Sequence, residues 1–272
     1  MAFIFYSGAL QACYLREQEN GYRLLVLIMQ QTLNLSVPQS WQSLSDKQLR
    51  FVFRLLATEH TLPQVMALCL FKWAKVRVHH REGSIFIVEH KGKRYPVTAL
   101  QVTEASEALK WLGDVPGYPV RLSRIGFHRP VRADFQDVTF EDFLTLDNLY
   151  QGYLTTQREY LLREMAKIMY RANHIRLNTE EQICIFYWFT SVKQMFARMF
   201  LHFLKPVSTD ESMPSLPSLQ QLQESMNAQI RALTGGDITK EREVLKMDCW
   251  RALTELDAKA KDYEDMRKTA KP

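Results

Sequence analysis

In the segment SLSDKQLRFVFRLLATEH the apolar residues Leu49, Val52, Phe53 and Leu56 recur three or four apart, the spacing that gathers side chains on one helical face. Ser45 stands ahead of them with Gln48 three residues on, which reads as an N-cap and its capping box. LPQVMALCLFKWAKV comes next, with Pro63 suited to a first helical turn. Val65, Leu68, Cys69 and Phe71 make it apolar on nearly all sides, so a buried helix is expected. The period then falls to two: VRVHH, SIFIVEH and KRYPVTAL are β-prone segments separated by Glu82–Gly83 and Lys91–Gly92, which read as hairpin turns. They predict a small antiparallel sheet at about residues 76–100. A short helix is expected over residues 103–112, and GDVPGYPVRLSRIGFHRP after it has no clear period.

A second helical block opens at DVTFEDFLTLDNLYQGYL, where Thr139 can cap and Phe140, Phe143, Leu144, Leu146, Leu149 and Tyr150 form an apolar stripe. Residues 160–171 continue it with Leu161, Leu162, Met165, Ile168 and Met169. NTEEQICIFYWFTSVKQMFARMFLHFLKP then supplies the longest and most apolar helix, opened by Asn178 or Thr179. A helical bundle is therefore predicted at about residues 138–204, with its core at 183–189. Residues 205–218, rich in Ser and Pro, read as a flexible linker. Beyond it, at 219–272, a helix ends at Gly235–Gly236, Asp237 or Thr239 can cap the next turn of helix, and a last helix places Trp250, Leu253, Leu256 and Ala260 on one side. Some fifty residues cannot bury that stripe alone, so it must dock on another surface. The expectation is a tethered partner-binding segment with those four residues as the contact; packing on the chain's own bundle is the alternative.

At the other end, residues 1–28 lack the ordered basic and apolar regions of a signal peptide, and their apolar runs are too short to span a bilayer. A short strand at residues 32–37, stopped by Pro38, looks like the start of a domain. This places a body at 29–204 and makes 1–28 an upstream extension or a loosely attached helix, with Met29 as the expected first residue. The fold class expected is α+β, predominantly helical: a helical bundle with a small antiparallel sheet and a linker-tethered C-terminal helical segment.

Composition narrows the class without naming a reaction. Of 272 residues, 46% are hydrophobic and 24% charged, which excludes a disordered tail, and ten Gly with ten Pro are few for a loop-rich β-sandwich. Cys13, Cys69, Cys184 and Cys249 lie far apart with no CxxC spacing, which fits a reducing compartment and suggests neither a disulfide scaffold nor a zinc site. Cys69 and Cys184 lie in apolar helices and read as core residues. His79 and His80 are adjacent on a strand and point to opposite faces, so with His90 and His128 they do not suggest one metal site. Glu141–Asp142 and Glu180–Glu181 sit in first helical turns, where they complement the helix dipole. No catalytic residue, metal or cofactor is expected, and the chain is read as non-enzymatic.

Charge is less even than the net +5 suggests, because residues 70–135 hold twelve Lys and Arg against six Asp and Glu. Lys91, Lys93, Arg94, Arg121, Arg124, Arg129 and Arg132, interleaved with Tyr95, Tyr118 and Phe127, can track a phosphate backbone or can form a solvated sheet face with a loop rim. Nucleic acid is thus one candidate partner.

The segments WQSLSDKQLRFVFRLL, VTFEDFLTLDNLYQGYL and ALTGGDITKEREVLKMDCWRALTELDAKAKDYEDM resemble those of uncharacterised proteins of Bacteroidales phages and prophages. The last, residues 232–266, resembles the C-terminal helical part of phage tail assembly chaperones and covers about an eighth of the chain. The resemblance implies a morphogenesis protein in the cytoplasm of a bacterial host, with a phage tail component as its protein partner and no membrane. The body at 29–204 departs from those small all-helical chaperones.

Overall fold

Strong local caps set many of the boundaries. In the computed structural model, which describes residues 2–4, 34–204 and 219–269, the chain is a predominantly helical α+β protein with a small three-stranded antiparallel sheet. It divides into two compact units, Met1–Asp114 and Val115–Pro272. The expected sheet and bundle, read from the sequence as one body, therefore belong to different units, and the C-terminal helices belong with the bundle. Most of residues 1–28, the expected start at Met29 and the expected linker at 205–218 lie outside the described residues.

In the first unit, β1 (Ala2–Ile4) pairs antiparallel with β2 (Asn34–Ser36). Helix α1 (Asp46–Leu56) starts at the expected capping box: the Gln48 amide donates to Ser45 Oγ at 3.4 Å and the Ser45 amide to Gln48 Oε1 at 2.9 Å. Leu49, Val52, Phe53 and Leu55 are buried; Leu56, expected in the stripe, is only half-buried. Helix α2 (Leu62–Trp73) buries Val65, Met66, Cys69 and Leu70 but exposes Leu62 and Leu68, so it is one-sided rather than apolar all round. It packs against α1 on one side and against α3 (Ala99–Ser106) and the 3₁₀ turn Glu107–Gly113. The Trp41 indole N–H donates to the carbonyls of Trp111 at 3.1 Å and Asp114 at 2.9 Å, and its ring stacks on Phe53.

The sheet has the order β3 (Arg77–Glu82), β4 (Ile85–His90), β5 (Lys93–Thr98). The second hairpin turn falls where the sequence puts it: Lys91 and Gly92 both have positive φ, as a type I′ turn requires. The first is one residue later than expected, at Gly83–Ser84. Val88 and Val97 are buried, while β3 is exposed along its whole length and carries a bulge between Val78 and His80. Pro96 is tolerated because β5 is an edge strand. The expected helix at 103–112 instead starts at Ala99 and tightens to 3₁₀ after Ser106. Thr98 ends the strand by becoming a cap: the Gln101 amide donates to Thr98 Oγ1 at 3.2 Å and the Thr98 amide to Gln101 Oε1 at 2.8 Å.

The second unit is built on α4 (Phe140–Thr156), α5 (Glu159–Met169) and α6 (Thr179–Met199). Thr139 caps α4 and Asn178 caps α6 through side-chain acceptance of the Asp142 and Glu181 amides. Phe135, Phe143, Trp188, Phe189 and Phe196 form one chain of ring contacts at 5.5–6.4 Å. Helices α7 (Leu219–Thr234), α8 (Glu241–Lys246) and α9 (Cys249–Thr269) complete it.

The C-terminal stripe packs largely within its own unit. Leu253 and Leu256 are fully buried, Trp250 and Ala260 are half-buried, and α9 lies against α4 and α7. The Trp250 indole N–H donates to the Asp134 carbonyl at 2.6 Å, and its ring meets Phe196 and Phe200 edge-on at 5.5 and 6.1 Å. Asp257 Oδ1 accepts from the His202 and Phe203 amides at 2.8 and 2.9 Å. Leu253 and Leu256 are core of their own unit, and Trp250 and Ala260 lie at its margin. A stripe too large for fifty residues finds its cover on the bundle.

Candidate functional site

Residues 115–138, which carry no period, are held by long-range bonds. Tyr170 Oη donates to the Leu122 carbonyl at 3.0 Å, the Val131 amide to the Met169 carbonyl at 2.8 Å, and the Trp188 indole N–H to the Ala133 carbonyl at 2.8 Å. Val120, Leu122, Ile125, Val131, Phe135 and Val138 are buried along it. Between two of these anchors the chain makes a tight turn. The Ile125 amide donates to the His128 carbonyl at 3.3 Å and the His128 amide returns the bond at 3.1 Å. Gly126 supplies the positive φ of +57° that the turn needs, so an L-residue there would be strained.

Phe127 occupies the tip of this turn and is 97% exposed; the next most exposed large apolar residue among those described is Ile238 at 79%. Ile125 two residues earlier is buried, so the side chain is pushed outward by an anchored stem. Arg124 and Arg129 flank it and are exposed, and Arg132 lies further along. Arg132 Nε lies 3.4 Å from Asp134 Oδ1, with the rest of its side chain largely in solvent.

Asp134 organises the far end of the segment. Its carboxylate accepts from Tyr118 Oη at 3.1 Å and from the Gln136 amide at 3.3 Å. Desolvation, reinforced by this bond to Asp134, pushes the Tyr118 phenol above its ordinary pKa, so Tyr118 is a neutral donor already in use. Arg121 lies 5.7 Å over the Trp188 ring and its Nε is shut from water, which makes it part of the packing. Of the four expected cations here, Arg124, Arg129 and Arg132 remain on the surface around the turn.

The other three, Lys91, Lys93 and Arg94, belong to the first unit. They are exposed at the β4–β5 hairpin end, but the register sets Glu89 between Arg77 and Arg94. Glu89 is held below the usual carboxylate range, first by its bond with His79 at 2.6 Å and then by the cations around it, and this compensates the local charge. Tyr95 sits across from Val88 and is half-buried. In sequence Tyr95, Tyr118 and Phe127 have equal standing; burial and bonding leave Phe127 as the presented ring.

His79 and His80 pair with Glu89 and Glu82 on the strands. Among the described residues no group of three His, Cys, Asp or Glu side chains is placed to hold a metal ion. Cys69, Cys184 and Cys249 are buried, and burial pushes the Cys69 thiol up to about 12 and the Cys249 thiol higher still. Among the described residues no helix is long and apolar enough to cross a membrane. A shallow cavity of about 450 Å³ at α8 is lined by Glu141, Glu241, Arg242 and Lys246, a mixed set that converges on no one ligand charge. Compared with known protein families, curated proteins and solved structures, the chain matches none of them.

Proposed function

We propose that this chain is a non-enzymatic nucleic-acid-binding protein whose contact element is the Arg-flanked turn at residues 124–132. The observation that carries the reading is Phe127, 97% exposed at the tip of a turn closed by two backbone bonds. A phenyl ring in water contributes nothing to the fold, whereas a ring beside cations suits a ligand that offers both flat bases and phosphates. Arg124, Arg129 and Arg132 supply the charge, and Arg121, spent on Trp188, does not. A tail-assembly partner docking on Trp250, Leu253 and Leu256, the role implied by the resemblance to phage chaperones, would have to displace side chains that hold α9 in its own unit, so it is not our reading.

The test is binding of the full chain to a labelled oligonucleotide across a salt series. Three arginine–phosphate contacts give a slope of log K against log salt of about −2 on a single strand, at about 0.7 per phosphate. Arg129→Gln should reduce that slope by about 0.7, and Arg121→Met should leave it unchanged. Absence of binding at low salt, or binding indifferent to salt, would remove the proposal.

A further inference from the structure

Resting on that reading, we infer that Phe127 is a stacking platform for one unpaired base, so that the ligand is single-stranded nucleic acid rather than duplex. Three features of the turn lead there. Its two backbone bonds and the positive φ of Gly126 fix the direction in which residue 127 leaves the chain, so binding has only the ring's own rotamers left to order. Nothing covers either face of the ring at 97% exposure, and a base needs one whole face. Arg124 and Arg129 stand three residues before and two after it, on the two arms of the turn, where they can meet the phosphates on either side of a stacked nucleotide.

Duplex does not fit this element. Its bases already stack on each other and offer only edges, and a ring could reach a base face only by prising a step apart. The element is also a single ring on a four-residue turn, whereas groove readers insert a helix or a two-stranded ribbon. A membrane surface would also welcome arginines and a phenyl, but the magnitude is wrong. Even a whole myristoyl chain gives an association constant of only about 10⁴ M⁻¹, and one ring buries far less. Among the described residues Arg124, Gly126, His128 and Arg129 around it add no second apolar side chain to insert.

The experiment compares wild type, Phe127→Ala and Phe127→Trp as full chains against oligo-dT, oligo-rU, a duplex of the same length, and vesicles with 30% anionic lipid. Because Phe127 is in solvent, Phe127→Ala should keep the wild-type melting temperature and circular dichroism. It should lose affinity for the single strands about 5- to 150-fold, the equivalent of one base stack. Its salt slope should match wild type, since a phenyl neutralises no phosphate. Phe127→Trp should restore the affinity or exceed it, and the duplex should bind more weakly than either single strand. The preferred pentose then names the source as DNA or RNA. Single-strand binding with a steep slope that Phe127→Ala does not weaken overturns this inference and leaves the nucleic-acid reading standing. Duplex binding as tight as single-strand binding also overturns it, as does vesicle binding that disappears with the ring. Binding to neither single strand nor duplex overturns both.

Discussion

Cys69 illustrates how far a single residue can be read from its place in a pattern. It falls between Val65 and Leu70 in an apolar helix, and the buried thiol expected there is the one observed, pushed up to about 12 by desolvation. Burial also sets the sign of its pH effect. A thiol whose folded pKa lies above the ordinary 9 keeps its proton where the unfolded chain has lost it, so this contribution to stability is whole below pH 9 and drains away between about 9 and 12. The thiolate is the nucleophile, so Cys69 should resist iodoacetamide at pH 8 in the native protein and react on unfolding. Peptide mapping after labelling checks this; native-state labelling of Cys69 would show that the thiol is not shut away. Phe127 teaches the converse. Nothing in SRIGFHRP distinguishes its phenyl from the ring of Tyr118, because what separates them is the bond from Tyr118 to Asp134 and the buried Ile125 beneath the turn, neither of which has a local signature.

At the scale of elements, what was legible is what chains settle locally. The caps at Ser45, Thr139, Asn178 and Asp237 are each within three residues of the amide they satisfy; the sequence points to the first two alone and to the others as one of two candidates, beside Thr179 and Thr239. Removing one has a defined cost: Ser45→Ala should destabilise the first unit by about 1 kcal/mol, read as a lower denaturant midpoint with unchanged slope. An unchanged midpoint would mean that Gln48 alone suffices to start α1. The misplaced boundary at Thr98 has the same logic in reverse. VTAL reads as β-prone, but Thr98 with Gln101 is also a capping box, and the box wins because the strand has already reached its last partner at Ile85. Helix α2 failed differently: a nearly all-apolar composition cannot say which side a three-turn helix will turn to its neighbours, and Leu62 and Leu68 are left outward.

For the whole molecule, the decisive question was where the stripe of Trp250, Leu253 and Leu256 goes, and no short window of sequence holds the answer because the rings and the carbonyl that meet Trp250 lie 50 to 116 residues away. An amphipathic helix is equally legible whether it covers its own bundle or another protein's groove. The two cases separate in stability. If α9 is core, Leu253→Ala leaves a cavity against the bundle and costs about 2–5 kcal/mol, and a chain ending at residue 206 loses far more. That truncation strips the edge-on Trp250 ring from Phe196 and Phe200, leaves the Cys249 amide's acceptor on Val138 and the Trp250 acceptor on Asp134 without their donors, and takes the Asp257 carboxylate from the end of α6. The truncated chain should therefore bind a hydrophobic dye at temperatures where the full chain does not, and should lose the cooperative melt of the second unit. The damage reaches the turn proposed as the contact element as well, because the Asp134 carbonyl accepts the Trp250 indole and its carboxylate holds Arg132 and Tyr118. Loss of α9 should thus weaken oligonucleotide binding through Asp134. A truncated chain that melts like the full one would return the stripe to the surface and reopen it to a partner.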